Sequence, residues 1–303
     1  MLKPKSFGKK NFLSSLDITK DEIIRTLSLA KNFKDKKFEI EFKNKVLGLI
    51  FDKSSTRTRV SFQVAMSRLG GTTIDLNPNT SQIGRGEPIK DTARVLSRYC
   101  DVLAIRTFKQ GDLEEYARWS DKPIINALTD FEHPCQALAD FLTIKEEFGE
   151  LKDVVFTFIG DGNNVANSLI FTAALLDVEI RIACPNGYEP DPIVVKKARE
   201  ISNNSNKLTI THNPQIAASG ADVLYTDVWS SMGEENLKEN KDKDFNGFCI
   251  NSSLINRANN NVIVMHCLPS YRGKEITEEA MESKNSRIFE QAENRMYAQQ
   301  ALL

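Results

Sequence analysis

No charge of one sign dominates this sequence: 40 lysines and arginines stand against 41 aspartates and glutamates, a net charge of −1. No global field therefore draws in nucleic acid or an anionic membrane, and any anion site must be built locally. No apolar run approaches the length of a membrane span. Met1 to Lys10 carries lysines with no apolar core behind them, so no signal peptide is expected. Cysteine is sparse, and its five positions, Cys100, Cys135, Cys184, Cys249 and Cys267, are widely spaced and odd in number. That predicts free thiols in a reducing cytoplasm and not a disulfide framework. No CxxC pair occurs, which argues against structural zinc. Histidine is scarcer still, with only His133, His212 and His266. The P-loop pattern is missing, so nucleoside triphosphate chemistry has no support. Neither an internal repeat nor a low-complexity segment is visible.

What is present is an alternation of strand and helix patterns in a chain long enough for two cores. Strand-like runs occur at Val46–Phe51, Val102–Arg106, Pro123–Leu128, Val154–Ile159, Val178–Cys184, Leu208–His212, Asp222–Tyr225 and Val262–His266. Helical periods lie between most of them, as at Arg57–Leu69, Asp91–Tyr99, Val165–Leu176 and Pro192–Asn203. The expected fold class is α/β, with two domains that are each a parallel sheet flanked by helices, and the active site in the cleft between them. The division falls within the helical stretch His133–Gly149. The last stretch, Ile288–Leu303, is a helix with no strand after it. Asn236–Asn246 reads as a surface loop or a solvated helix.

The polar clusters share one position: each follows a strand. Ser54-Ser55-Thr56-Arg57-Thr58-Arg59 follows the first run and opens a helix. Hydroxyl residues there cap free N–H groups that also suit an anion, and the arginines add fork-shaped donors for phosphate or carboxylate. Alone, the same turn reads more readily as an ordinary capped helix with solvated arginines, and the rest of the chain reverses that balance. Arg106 ends the second run, where an ion-pair role would be ordinary. His133-Pro134-Cys135-Gln136 opens a helix with proline in its first turn, and His133 and Gln136 suit a carbonyl or an amide. Gly160-Asp161-Gly162-Asn163-Asn164 begins like a nucleotide-binding turn, but Val165 stands where the third glycine belongs, so a dinucleotide reading is weak. The two asparagines suit a carboxylate or an amino-acid backbone instead. Asp227 with Ser231 and Met232 suits an amine, although Met232 would also serve as core filler. Cys267 follows His266 before Leu268-Pro269; it reads as a small buried hydrophobe or as a nucleophile whose partner base spacing does not reveal. Ligands of open parallel sheets bind beyond the carboxyl ends of strands, which is where all six clusters fall.

In this order, Ser55-Thr56-Arg57-Thr58-Arg59, His133-Pro134-Cys135-Gln136, Asp227-Val228-Trp229-Ser230-Ser231-Met232-Gly233 and His266-Cys267-Leu268-Pro269 resemble the transcarbamoylase family over nearly the whole chain, and within it the ornithine branch. The resemblance implies a carbamoyl-phosphate domain at 1–140, with the helix of 285–303 packing back on it, and an ornithine domain at 141–284. It implies a cytoplasmic homotrimer with shared active sites, no metal and no organic cofactor, and a place in arginine biosynthesis. Ser55, Thr56, Arg57 and Thr58 would bind phosphate, with Gln82 donated by the neighbouring subunit. Arg106, His133, Gln136 and Arg295 would hold the carbamoyl group. Asn164, Asp227, Ser231 and Met232 would hold L-ornithine, and Cys267 and Leu268 would line the place where the substrates meet. Arg106, His133 and Cys267 would be catalytic, Cys267 as ligand and proton relay. Some relatives carry a lysine at the place of Gly86, and Arg85 is the candidate to supply that charge. Ser231–Gly233 suits a lid. Rival readings are transfer to putrescine or N-acetylornithine, a nicotinamide-dependent dehydrogenase, and a carbamoyl-phosphate binder without turnover.

Overall fold

The computed structural model describes residues 7–77, 82, 86–202, 207–230 and 238–303, with backbone alone for 238–240. Two compact units emerge: one comprises the chain up to Leu142 with Glu293–Leu303, the other Thr143–Ala292.

The first unit contains helix α1 (Lys20–Lys34), then β1 (Val46–Phe51), α2 (Thr56–Arg68), β2 (Thr72–Leu76), α3 (Ile89–Tyr99), β3 (Val102–Arg106), α4 (Gln110–Trp119), β4 (Ile124–Leu128) and α5 (Pro134–Phe148). Its strands form one parallel sheet in the order β2-β1-β3-β4. The apolar run of β1 explains its central place: Leu47, Leu49, Ile50 and Phe51 are all buried, as a parallel strand covered on both faces requires. Each such side chain contributes roughly 1.5–3 kcal/mol on burial. Gly48 is the exception in that run, and packing explains it: a Cβ there would lie 2.5 Å from Leu103 Cδ2. The free edge of β4 is covered by the N-terminal segment, where Phe12 N donates to Ile124 O and Asn126 N to Phe12 O, both at 2.8 Å. α1 starts at a capping box of Thr19 and Glu22.

Sequence patterning did not reveal β2. Its residues, Thr72-Thr73-Ile74-Asp75-Leu76, form a largely exposed edge strand and offer no apolar run. Pairing with β1 places it, and Arg59 Nη1 meets Asp75 at 3.0 Å. Arg59 also lies over the Phe51 ring. Of the two arginines read as anion donors, Arg59 is therefore committed to joining α2 to the sheet.

The second unit holds β5 (Val155–Ile159), α6 (Asn164–Leu176), β6 (Glu179–Ala183), α7 (Pro192–Ile201), β7 (Leu208–Thr211), α8 (Pro214–Ala218), β8 (Val223–Thr226), α9 (Lys238–Asp244), α10 (Ser252–Ile255), β9 (Ile263–His266), α11 (Glu278–Met281) and the start of α12 (Ile288–Leu302). The parallel order is β7-β6-β5-β8-β9. Phe158 stacks with Tyr225 on the neighbouring strand, centroids 5.7 Å apart. A second aromatic cluster joins Trp229 to Phe245 at 5.3 Å and Phe245 to Tyr188 at 4.8 Å. The stretch 236–246, read as loop or solvated helix, carries α9. The chain passes between units inside α5 and inside α12.

Strand order decides where a ligand can sit. In the first sheet the winding reverses between β1 and β3, and in the second between β5 and β8. Such switch points open a crevice beyond the carboxyl ends of the two strands. The four segments that leave those ends begin at Asp52, Thr107, Gly160 and Asp227 and carry the Ser54–Arg59, Gly160–Asn164 and Asp227 clusters, with Arg106 the last residue of β3, whereas His133–Gln136 follows the neighbouring β4 and Cys267 follows β9.

Candidate active site

In the first unit, Ser55 caps α2, accepting from Thr58 N at 3.3 Å. Thr56 and Arg57 stand exposed on the first turn, whereas Thr58 is fully buried. Arg295, on α12 and 237 residues further along, donates from Nη1 to Thr58 Oγ1 at 3.0 Å. A guanidinium only donates, so it fills a lone pair of the hydroxyl and leaves the Thr58 O–H free to donate elsewhere. Arg106 and His133 are also buried. His133 is held well below the ordinary histidine pKa, first by burial and then by the charges of Arg295 and Arg106. It is a neutral imidazole among cations at neutral pH. The Cys135 thiol beside it is pushed up to about 12 by burial, with Arg295 opposing, and donates to Asn126 O at 3.3 Å. It is an inert core residue. Gln136 is buried, with its Nε2 2.6 Å from Asp140 Oδ1. The turn that presents His133 is tied down by Glu132, whose carboxylate accepts from Ser14 Oγ and from Ser15 N.

Gln82 lies exposed, and its carbonyl accepts from Glu87 N at 3.2 Å. Gly86 is exposed with a φ of 92°, and a Cβ there would meet nothing. Arg85 lies outside the described residues, as do Ser231, Met232 and Gly233. A cavity of about 740 Å³ in this unit is lined by Lys45, Asp101, Val102 and Pro123. Those residues mark the amino ends of the strands, so the cavity is separate from the polar cluster.

In the second unit the centre is Asp227, nearly buried beyond the end of β8. Its Oδ2 accepts from Asn163 Nδ2 at 2.9 Å, and its Oδ1 accepts from Cys267 Sγ at 2.9 Å and from Val228 N at 2.8 Å. The partner that spacing could not reveal for Cys267 is therefore a carboxylate 40 residues away. Asn163 is the N-cap of α6 and Asn164 its half-exposed first residue. Gly162 is required by packing, since a Cβ would lie 2.3 Å from Pro190 N. The second glycine of that turn thus accommodates the 189–190 backbone. Lys241 of α9 pairs with Asp161 at 2.7 Å, both largely buried, which ties α9 to the same turn.

His266, Asp227 and Cys267 place three ligand-type atoms within 4.8 Å of one another. The histidine is already engaged at both nitrogens: Nδ1 accepts from Leu268 N at 2.9 Å, and Nε2 faces Glu275 Oε1 at 3.1 Å. An accepting Nδ1 fixes the proton on Nε2. His266 therefore shapes the segment after β9. Glu275 also accepts from Tyr271 N. Leu268 sits in the left-handed region at φ 59°, strained for a branched residue, and a cis bond to Pro269 follows.

Two residues, Asp140 and Glu275, escaped the sequence reading, and a third, Asn163, has a partner that the sequence does not show. Asp140 lies four places after Gln136, the spacing at which a helical glutamine and an acid meet, so a signal was there. Asn163 reads with Asn164 as an amide suited to a carboxylate, and the carboxylate it meets is that of Asp227. Glu275 carried no local signal.

The fold and the two clusters define an α/β protein that gathers hydrogen-bond donors for an anion in one unit and acceptors for an amine in the other. The chain belongs to the aspartate/ornithine carbamoyltransferase family: residues 10–146 match its carbamoyl-P binding domain and residues 152–303 its Asp/Orn binding domain. It is 72% identical over 303 residues to an ornithine carbamoyltransferase of Prochlorococcus marinus strain MIT 9312, covering 100% of this chain and 98% of that one. The corresponding protein of Nostoc punctiforme is 54% identical, covering 97% and 96%. Among solved structures, the ornithine carbamoyltransferase of Pyrococcus furiosus superposes with a TM-score of 0.92 at 45% identity, covering 97% of this chain and 95% of that one. The anabolic enzyme of Campylobacter jejuni gives 0.92 at 42%, covering 97% of each.

Proposed function

We infer that this protein transfers the carbamoyl group of carbamoyl phosphate to the δ-amine of L-ornithine, giving L-citrulline and phosphate. The observation that carries the acceptor half is the buried Asp227 carboxylate, already receiving the Cys267 thiol and the Asn163 amide. Such a group suits an amine and repels a phosphate. Full-length relatives that bear the name ornithine carbamoyltransferase favour ornithine over putrescine or N-acetylornithine.

In this reading Ser55, Thr56, Arg57 and Thr58 take the phosphate at the start of α2, where free N–H groups and the helix dipole favour negative charge. Arg106, His133, Gln136 and Arg295 hold the carbamoyl group. Asn164, Asp227, Ser231 and Met232 hold ornithine, with Cys267 and Leu268 beside the reacting atoms. The amine nitrogen attacks the carbonyl carbon. Charge then grows on the carbonyl oxygen, where Arg106, neutral His133 and the Thr58 hydroxyl oriented by Arg295 donate. The C–O bond to phosphate breaks, and Arg57 receives the leaving anion. The attacking nitrogen must lose a proton, since an alkyl ammonium has a pKa near ~10.4. Asp227 and Cys267 orient the amine and relay that proton, and a phosphate oxygen accepts it finally. A Cys267 whose S–H is directed at a carboxylate serves as ligand and relay, with no covalent intermediate on sulfur. Gln82 acts on a neighbouring subunit of a homotrimer, and the reaction needs neither metal nor organic cofactor.

The test is citrulline formation from carbamoyl phosphate and L-ornithine, with putrescine, N-acetylornithine and aspartate as parallel acceptors. Turnover confined to ornithine is expected. Turnover with another amine alone would overturn the roles of Asn164, Asp227 and Ser231. Binding of carbamoyl phosphate with no turnover on any acceptor would make the protein a binder.

A further inference from the structure

We propose that Asp140 is a positioning residue: it fixes which end of the Gln136 amide faces the substrate and thereby makes the first unit select a carbamoyl over an acetyl group. This rests on reading that unit as the carbamoyl-phosphate site. Gln136 and Asp140 lie at i and i+4 on α5, so their side chains share one face. Both are buried, Gln136 at 1% exposure and Asp140 at 0%. The Gln136 Nε2 lies 2.6 Å from Asp140 Oδ1.

An ionised carboxylate only accepts hydrogen bonds, so it can hold only the NH2 end of the amide. The carbonyl end must then face away from it. That oxygen, Oε1, is buried and makes no hydrogen bond within the protein. A buried acceptor of this kind calls for a donor. The other polar groups of the cluster, on Arg106, Arg295, His133 and Thr58, suit the oxygens of the substrate. Gln136 Oε1 instead suits the one part of carbamoyl phosphate that donates, its NH2. Acetyl phosphate carries a methyl group in that place and would leave the carbonyl unsatisfied. A site that hydrogen-bonds an N–H discriminates strongly against an analogue lacking it, because its own buried polar group is then left without a partner. Were the amide turned round, two NH2 groups would confront each other and the preference would vanish.

The experiment compares kcat/KM for carbamoyl phosphate and for acetyl phosphate, with ornithine, in the wild type, in Asp140→Asn and in the double variant Gln136→Glu with Asp140→Asn. Asparagine can both donate and accept, so it no longer fixes the glutamine. In the double variant a glutamate accepts from the asparagine amide and again presents an acceptor, with the charge of the pair unchanged. Asp140→Asn is expected to lower the carbamoyl-to-acetyl ratio about tenfold, the worth of one hydrogen bond, and the double variant to recover most of it. A merely structural Asp140 would lower both rates together and leave the ratio alone, which would overturn the proposal. If Asp140→Asn does not fold, the double variant decides: a retained ratio supports the pairing and a lost one refutes it. A wild type that makes no citrulline would instead remove the underlying reading, so the two failures are distinct.

Discussion

The two units use one architecture for opposite electrostatics. Each is a parallel sheet whose winding reverses between two inner strands, and each places polar residues beyond that reversal. In the first unit Arg106, Arg295, Thr58 and neutral His133 supply donors. In the second, Asp227 accepts three hydrogen bonds from Asn163, Cys267 and Val228. The scaffold therefore sets where a ligand sits, while the few side chains at strand ends set its charge. A second contrast lies in how each cluster is stabilised. Burial, and after it the cations gathered in the first unit, depress the basicity of His133, and neighbours such as Asp140 and Glu132 hold the remaining groups. The second unit satisfies its carboxylate locally, with donors from within its own loops.

The comparison breaks most visibly at Arg106. Arg106→Ala should lower kcat by on the order of 100-fold or more, as loss of an oxyanion donor does, with the ornithine KM little changed. An equal loss of ornithine affinity in steady-state kinetics would show that the two units do not divide the substrates. Asp227→Asn probes the opposite pole. It removes the charge that complements an amine and should cost about 10- to 100-fold in kcat/KM for ornithine, the worth of a charge-assisted bond of roughly 1.5–3 kcal/mol. Carbamoyl-phosphate affinity, read by calorimetry, should be unchanged, and a fall there would count against the assignment.

The smallest effect concerns pH. Burial, Arg295 and Arg106 hold the His133 pKa below its unfolded value. The unfolded chain therefore binds the proton more readily, and stability falls as pH drops below about 6.5. The slope reaches at most about 1.4 kcal/mol per pH unit and ends once pH passes the folded pKa. Urea unfolding of the wild type and of His133→Gln at several pH values between neutrality and mild acid should show a shallower dependence in the variant. Equal slopes would mean that His133 is not kept neutral by the fold.

Much of the first unit was legible in contiguous residues. The run from Val46 to Phe51 announced a central strand, and Ser55 before Thr56-Arg57 announced a capped helix, because burial pattern and capping are local properties. β2 was not legible, since an exposed edge strand has no apolar signature and exists through its pairing with β1. The same turn misled in one respect: Arg59 looks like Arg57 in sequence, yet Asp75 and Phe51 claim it. Cys267 was legible as unusual but not as a partner of Asp227. Gln136 was legible as a polar group on a helix, whereas the direction of its amide depends on Asp140.

The sequence by itself determined the α/β alternation, the buried strands and the placing of every polar cluster just beyond a strand. These follow from period, caps and turn residues, which act over a few positions. The tertiary structure alone decided that β1 lies beside β3 and β5 beside β8, that Arg295 reaches Thr58 from 237 residues away, and that Cys267 meets Asp227 across 40. Such contacts come from how the chain closes on itself, and a hydrogen bond between distant residues leaves no mark on the spacing of either.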